Sequence, residues 1–366
     1  MKNLYLDINA LQTVPSSNIN RDDTGTPKTA IYGGVTRSRV SSQSWKRAIR
    51  LAFKDQSKDA EWLKSFRTKR APMLLAKKLV ELGNLDEEAA MKKAQEVLKA
   101  AGIKLTKDKN KEPITGALVL ISEGQLEKIA KYALSIDEFD KVTAKEIKKN
   151  LMEDQSLDLA LFGRMMADNP ELNVDAASQV AHAISTHEIV PEFDYYTAVD
   201  DAKDDDQSGS AMIGTLEYNS STLYRYANVN VNELLHNLGN KELTLKGIKL
   251  FIKDFILTMP TGKENSFANK TIPQYIMINL RDDTPVNLVT AFEEPVKTKG
   301  GYIKNSIEKL EDETNAVGKM IGKPLMSLVL TNKESKVENQ ADSIEDLIEK
   351  VAQSISQRLN DENTND

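Results

Sequence analysis

Few residues in this chain are of a type that does chemistry, and their spacing does not assemble a reaction. Of the three histidines, His182 and His187 lie five apart in Ala181-His182-Ala183-Ile184-Ser185-Thr186-His187. That is neither the i, i+4 spacing of a helical zinc pair nor a His-Glu-x-x-His motif. His236, in Leu234-Leu235-His236-Asn237, has no carboxylate or cysteine beside it. The sequence has no cysteine, which excludes disulfides, thiolate metal sites and thiol nucleophiles. Gly262-Lys263 lacks the upstream glycine and following Ser/Thr of a phosphate-cradling loop, and no glycine-rich dinucleotide turn follows a strand. Asp22-Asp23, Asp200-Asp201 and Asp204-Asp205-Asp206 are acids of the kind that hold Mg²⁺ for phosphodiester cleavage. Adjacent acids in polar loops are more often simply solvated. The expectation is a protein that is not an enzyme and uses neither cofactor nor metal.

Charge says more than these side chains do. The chain of 366 residues carries a formal charge of −6, which by itself argues against a simple nucleic-acid binder. Its distribution is uneven. Between Arg21 and Lys54 stand eight basic residues (Arg21, Lys28, Arg37, Arg39, Lys46, Arg47, Arg50, Lys54) against Asp22 and Asp23, so this segment is +6 and the remainder −12. A basic cluster on an acidic background is the footprint of a polyanion site, or else an ordinary solvated helix face.

The elements that must position these cations follow from periodicity. Leu4, Leu6, Ile8 and Ala10 alternate with Tyr5, Asp7 and Asn9, the period of a half-buried strand. A polar, turn-rich stretch over 13–34 leads to a helix with Ser41 and Ser42 as N-cap candidates. Trp45, Ala48, Ile49, Ala52 and Phe53 fall on one stripe of that helix, and Gln43, Lys46, Arg47 and Arg50 on the other. Residues from about 57 to 165 read as a helical insertion, with breaks at Gly83-Asn84, Gly102 and a lysine-rich linker over 104–111. Asp86-Glu87-Glu88 opens a helix there that ends near Ala101-Gly102. Lys141, Lys145, Lys148 and Lys149 share one helical face. Strand signals return at 194–199 and 222–231, joined by a long Gly/Ser/Asp connection, and so predict an extended hairpin. A helix over 243–257, a strand over 274–280 and a helix striped by Ile344, Leu347, Ile348, Val351 and Ile355 complete the reading, before a polar tail. The order strand, helix, insertion, strand, strand, helix, strand is the ferredoxin-like βαββαβ plan that RNA-recognition-motif (RRM) domains share. A hydrophobic content of 40% supports a real core. With no ~20-residue apolar run and no signal-peptide pattern at the first residues, a cytoplasmic protein is expected.

Several stretches in order resemble the CasC family, the backbone subunit of the type I-E CRISPR Cascade complex. They are Asn20-Arg21-Asp22-Asp23, Lys28, Ala30-Ile31-Tyr32-Gly33-Gly34, Arg39-Val40-Ser41-Ser42-Gln43-Ser44 and Lys46-Arg47-Ala48, then Leu161-Phe162-Gly163-Arg164-Met165, Ala181 to His187, Thr197-Ala198-Val199-Asp200-Asp201, Gly214-Thr215 and Tyr224-Arg225-Tyr226-Ala227-Asn228. The similarity runs from residue 4 to about 300. It implies an α+β fold: an RRM/ferredoxin-like palm (1–56 and 181–330), a large helical finger insertion (57–180) and a thumb β-hairpin at about 196–222, with 331–366 as C-terminal helix and polar tail. It implies copies stacked head to tail along the spacer of a crRNA and supporting R-loop formation on target DNA. The partners would be neighbouring copies and the large, small, 5′-handle-binding and crRNA-processing subunits. By this resemblance RNA is contacted by Arg21, Lys28, Ser41, Gln43, Lys46, Arg47, Arg50, Arg164 and Thr197. Met165, Met212 and Ile213 would wedge between bases, and Lys141, Lys145, Lys148 and Lys149 would lie near target DNA. A cationic face that holds phosphates without reading letters suits a subunit serving any spacer, because base pairing carries the specificity. The rival is a metal-dependent endoribonuclease using Asp22 or Asp23, as in distant backbone subunits of type III effectors.

Overall fold

The computed structural model describes residues 3–166, 168–198 and 212–361. In chain order the elements are β1 (Tyr5–Ser17), β2 (Thr29–Tyr32), β3 (Val35–Val40), α1 (Ser42–Asp55), β4 (Ser65–Thr68), α2 (Ala71–Gly83), α3 (Glu87–Ala100), β5 (Leu105–Lys107), β6 (Pro113–Thr115), β7 (Val119–Ser122), α4 (Glu123–Leu134), α5 (Lys141–Asn150), α6 (Leu157–Phe162), β8 (Ser178–Val180), β9 (Ala183–Ser185), β10 (Glu192–Ala198), β11 (Met212–Asn230), α7 (Val231–Leu238), α8 (Lys241–Leu257), α9 (Glu264–Phe267), β12 (Tyr275–Arg281), α10 (Ile303–Ile321), β13 (Met326–Thr331) and α11 (Ile344–Asp361). They divide into two compact units, one of residues 1–49, 180–228 and 249–366, the other of 50–179 and 229–248. The second therefore takes in 229–248 as well as the insertion read from the sequence.

The first unit is built on a large sheet with strand order β13-β12-β1-β11-β9-β3-β2. β1 pairs antiparallel with β12 from Tyr5↔Arg281 to Leu11↔Tyr275, and β12 with β13 from Tyr275↔Thr331 to Leu280↔Met326. β1 is not the half-buried strand its alternation suggests. From Leu6 to Gln12 every residue is buried. Leu6, Ile8 and Ala10 line one face. On the other, Leu11 joins a cluster with Tyr224, Tyr226, Tyr275, Phe292 and Leu310, the last from α10. Asp7 and Asn9 share that face and are satisfied internally: the Tyr226 hydroxyl donates to Asp7 at 2.7 Å and the Tyr224 hydroxyl to Asn9 at 2.8 Å. Residues 282–330, which carry weak signals in the sequence, supply this covering layer. On the opposite face the Arg225 guanidinium lies 3.7 Å from the ring of Trp45 on α1 and 4.5 Å from that of Phe255 on α8, and donates to Gln12 at 2.6 Å.

The second unit is helical, with α2, α3, α4 and α5 around Leu75, Leu79, Val97, Ile129 and Ile147. Asp86 caps α3 by accepting from the Ala89 amide at 2.8 Å. α3 stops at Gly102, whose φ of +84° lets the Ile103 amide reach back to Leu98 O at 2.9 Å. The expected linker at 104–111 is instead half of a β5–β6 hairpin.

Candidate nucleic-acid interface

The cationic segment is a loop fastened to a helix start. Lys28 N donates to Asn20 O at 2.9 Å, Arg39 N to Lys28 O at 2.9 Å, and Ser41 N to the Asn20 side-chain oxygen at 2.8 Å. Ser41 O in turn accepts from Trp45 N, so Ser41 sits at the N-terminus of α1. The stripe of Trp45, Ile49 and Phe53 is buried, as the spacing predicts, and turns Gln43 and Arg47 outward. Lys46 is half-buried, and burial lowers its proton affinity.

Asp22 is exposed in this loop, and its carboxylate is engaged by the threonines that follow it. One carboxylate oxygen accepts from Thr24 N (3.0 Å), Thr24 Oγ1 (2.7 Å) and Thr26 N (3.0 Å), and the other from Thr26 Oγ1 (2.7 Å). These bonds, the Thr24 hydroxyl foremost, hold its pKa at about 2. Among the described residues no cluster of three His, Asp or Glu is placed to hold a metal. Asp200, Asp201 and Asp204–Asp206 lie outside the described residues.

Not all eight cations of the segment face solvent. Arg37 is buried, donating to Tyr32 O, Ser185 O and Phe292 O. Arg50 is half-buried and its Nε donates to Asp158 at 2.6 Å, a carboxylate that also takes hydroxyl bonds from Ser65 and Ser156. Arg50 is thus held at its Nε inside the helical unit. Arg21 and Arg47 are exposed and Lys28 and Arg39 half-buried; among the described residues none of these four forms an ion pair.

The two neighbouring histidines have opposite tautomers. His187 is buried, stacked on Tyr302 at 3.5 Å; its Nδ1–H donates to Glu188 O at 2.7 Å and its Nε2 accepts from Thr222 N at 3.1 Å. His182 is exposed, and its Nδ1 stands 3.1 Å from Arg39 Nη1. Arginine only donates, so this Nδ1 accepts and the ring proton sits on Nε2. Their sequence motifs give neither Arg39 nor His182 a binding role. Strand pairing brings them together: Arg39 lies opposite Ile184, which makes His182 its diagonal neighbour on the same face. A separation of 143 residues leaves no local signal for that.

In the helical unit, Arg164 also turns inward. Its guanidinium is buried and donates to Leu172 O at 3.0 Å, Leu120 O at 3.1 Å and Leu151 O at 3.0 Å, which makes it a structural cross-link. Burial lowers its pKa to about 10. The next residue, Met165, is 84% exposed, far from the core role that a lone methionine usually has. On α5, Lys148 pairs with Glu171 at 2.6 Å and Lys149 with Glu146 at 3.5 Å, while Lys141 and Lys145 are exposed.

The hairpin pairs Glu192↔Tyr218 through Ala198↔Met212, so β10 meets residues 212–218, which the sequence reads as connection, while the expected second strand from 222 onward pairs with β9. Phe193, Tyr195 and Thr197 alternate onto one face and all are exposed. Tyr196 covers Gly214, where a Cβ would come within 2.5 Å of its ring. Met212 and Ile213 lie on β11, but their side chains fall outside the described set.

Residues 6–355 match the family model described as CT1975-like protein. The chain belongs to that family. This CT1975-like chain also resembles a chain of a solved "CRISPR RNA-guided surveillance complex, pre-nicking", with TM-score 0.84 and 33% identity over 96% of this chain and 99% of that one. A chain of a second "CRISPR RNA-guided surveillance complex" gives TM-score 0.74 and 29% identity, again over 96% and 99%. No curated protein matched the CT1975-like chain. Among its described residues no helix is long and apolar enough to cross a membrane.

Proposed function

We propose that this chain is the crRNA-binding backbone subunit of a type I-E CRISPR Cascade complex, and does no chemistry of its own. The observation that carries the reading is the group of exposed or half-buried cations Arg21, Lys28, Arg39 and Arg47, unpaired among the described residues, around the N-terminus of α1. Like charges held together without an ion-pair partner repel one another until a polyanion neutralises them. The likeness to chains of RNA-guided surveillance complexes supports a guide RNA as that polyanion. In this reading β1-α1-β9-β11-α8-β12, with strand order β12-β1-β11-β9, is the RRM-like palm. The helical unit is the finger, and β10–β11 the thumb. Copies stack head to tail along the spacer, beside the large, small, 5′-handle-binding and crRNA-processing subunits. Arg21, Lys28, Ser41, Gln43, Lys46 and Arg47 hold phosphates; Met165, Met212 and Ile213 wedge between bases; Thr197 lies along the thumb.

Co-expression with a CRISPR array, followed by RNA extraction from the purified assembly, tests the proposal. RNA of spacer length is expected. Lys46→Ala combined with Arg47→Ala should weaken binding alike for unrelated spacers and flatten its dependence on salt. A loss confined to one spacer sequence would count against phosphate cradling. Regular cleavage of complementary RNA with Mg²⁺, abolished by Asp23→Ala, would instead favour an endoribonuclease.

A further inference from the structure

Resting on that reading, we propose that His182 is a positioning residue for Arg39, and that Lys28, Arg39 and the Nε2–H of His182 together grip one phosphodiester of the bound RNA. Arg39 is pinned at two points: its Nε donates to Thr29 O at 3.0 Å, and its Nη1 to His182 Nδ1 at 3.1 Å. A long, flexible side chain thereby becomes a fixed plane, whose three remaining N–H donors have a set direction before any ligand arrives.

The histidine gains by the same bond. With Nδ1 committed as acceptor, its exposed edge carries a hydrogen-bond donor without carrying a charge. Two charges act on the ring, Arg39 from β3 and Lys28 from the strand approach before β2, and both are positive. With burial as the larger cause, they lower its proton affinity and keep it neutral at neutral pH. Two cations and a neutral donor converging at an exposed edge, with no carboxylate among the groups acting on the ring, form a cradle for a singly charged phosphodiester. His187 provides the internal contrast: both of its nitrogens are used within the fold.

The test is the salt dependence of affinity for a single-stranded guide RNA, measured at pH 8 with the full chain. Arg39→Gln is expected to lower the log–log slope by about 0.7, the share of one phosphate on a single strand. His182→Leu removes no charge at that pH, yet is expected to lower the slope by the same amount and to weaken binding on the order of tenfold. The double variant should be no worse than Arg39→Gln alone. His182→Asn, whose side-chain oxygen stands where Nδ1 stood, should recover most of the slope. An unchanged slope in His182→Leu, or additive losses in the double variant, overturns the inference. If that occurs while Lys46→Ala with Arg47→Ala still weakens binding, RNA cradling by the ridge survives and only the histidine's role falls. If the wild type binds no RNA, both fall.

Discussion

Asp7 is a carboxyl in the middle of a core. It accepts from the Tyr226 hydroxyl at 2.7 Å and from the Val286 amide at 3.1 Å, yet burial outweighs these bonds and pushes its pKa up to about 6. The fold thus prefers the protonated acid. Stability from this group is absent above about pH 6, accrues as the pH falls through 6, and saturates below the ordinary value of 3.8. His182 and His187, both shifted down, act in the opposite sense over part of this range, so a difference measurement is needed. Urea unfolding of wild type and Asp7→Asn at pH 7 and pH 5 should show the wild type gaining on the variant by on the order of 1 kcal/mol at the lower pH. A pH-independent difference would mean that Asp7 is already neutral, or fully ionised, across the range.

Among the elements, the β2–β3 hairpin shows how local sequence and distant packing meet. Tyr32 pairs with Val35, leaving Gly33-Gly34 as a two-residue turn with φ of +61° and +77°, the conformation such a tight turn demands. Gly33 is constrained twice, since a Cβ there would stand 1.7 Å from Glu293 O. Gly33→Ala should therefore cost about 2 kcal/mol or more in denaturant unfolding, well beyond the same change at Gly34, which meets nothing within 4 Å. The glycine pair was legible as a turn; its neighbour 260 residues away was not. The same division runs through the fold. The stripe of α1, the cap and glycine stop of α3 and the first thumb strand follow from spacing, because each signal is local. The burial of Asp7 and Asn9 depends on α10 and the turn before it; α10 is amphipathic in sequence, but its spacing does not say which strand it covers. The inward bonds of Arg50 and Arg164 were illegible for a similar reason. Helix spacing says which way Arg50 points, and only tertiary structure puts Asp158 there to meet it.

At the scale of the whole molecule, a chain of net charge −6 carries one cationic group around the N-terminus of α1 and a second on α5. Lys148 and Lys149 are already matched by Glu171 and Glu146, which leaves Lys141 and Lys145 as the members of that face able to answer a second polyanion. Lys141→Glu with Lys145→Glu should leave guide RNA retention unchanged and weaken capture of target duplex DNA several-fold at low salt, less so at high salt. Equal loss of guide and target would place both ligands on one surface. The loop that begins the ridge has a further consequence. If the turn grips an anion as proposed, an acid in its midst should repel that ligand. By giving all four of its bonds to Thr24 and Thr26, Asp22 spends its charge on shaping the loop. Two small hydroxyls that need never meet a nucleotide thus govern how negative that turn looks to one.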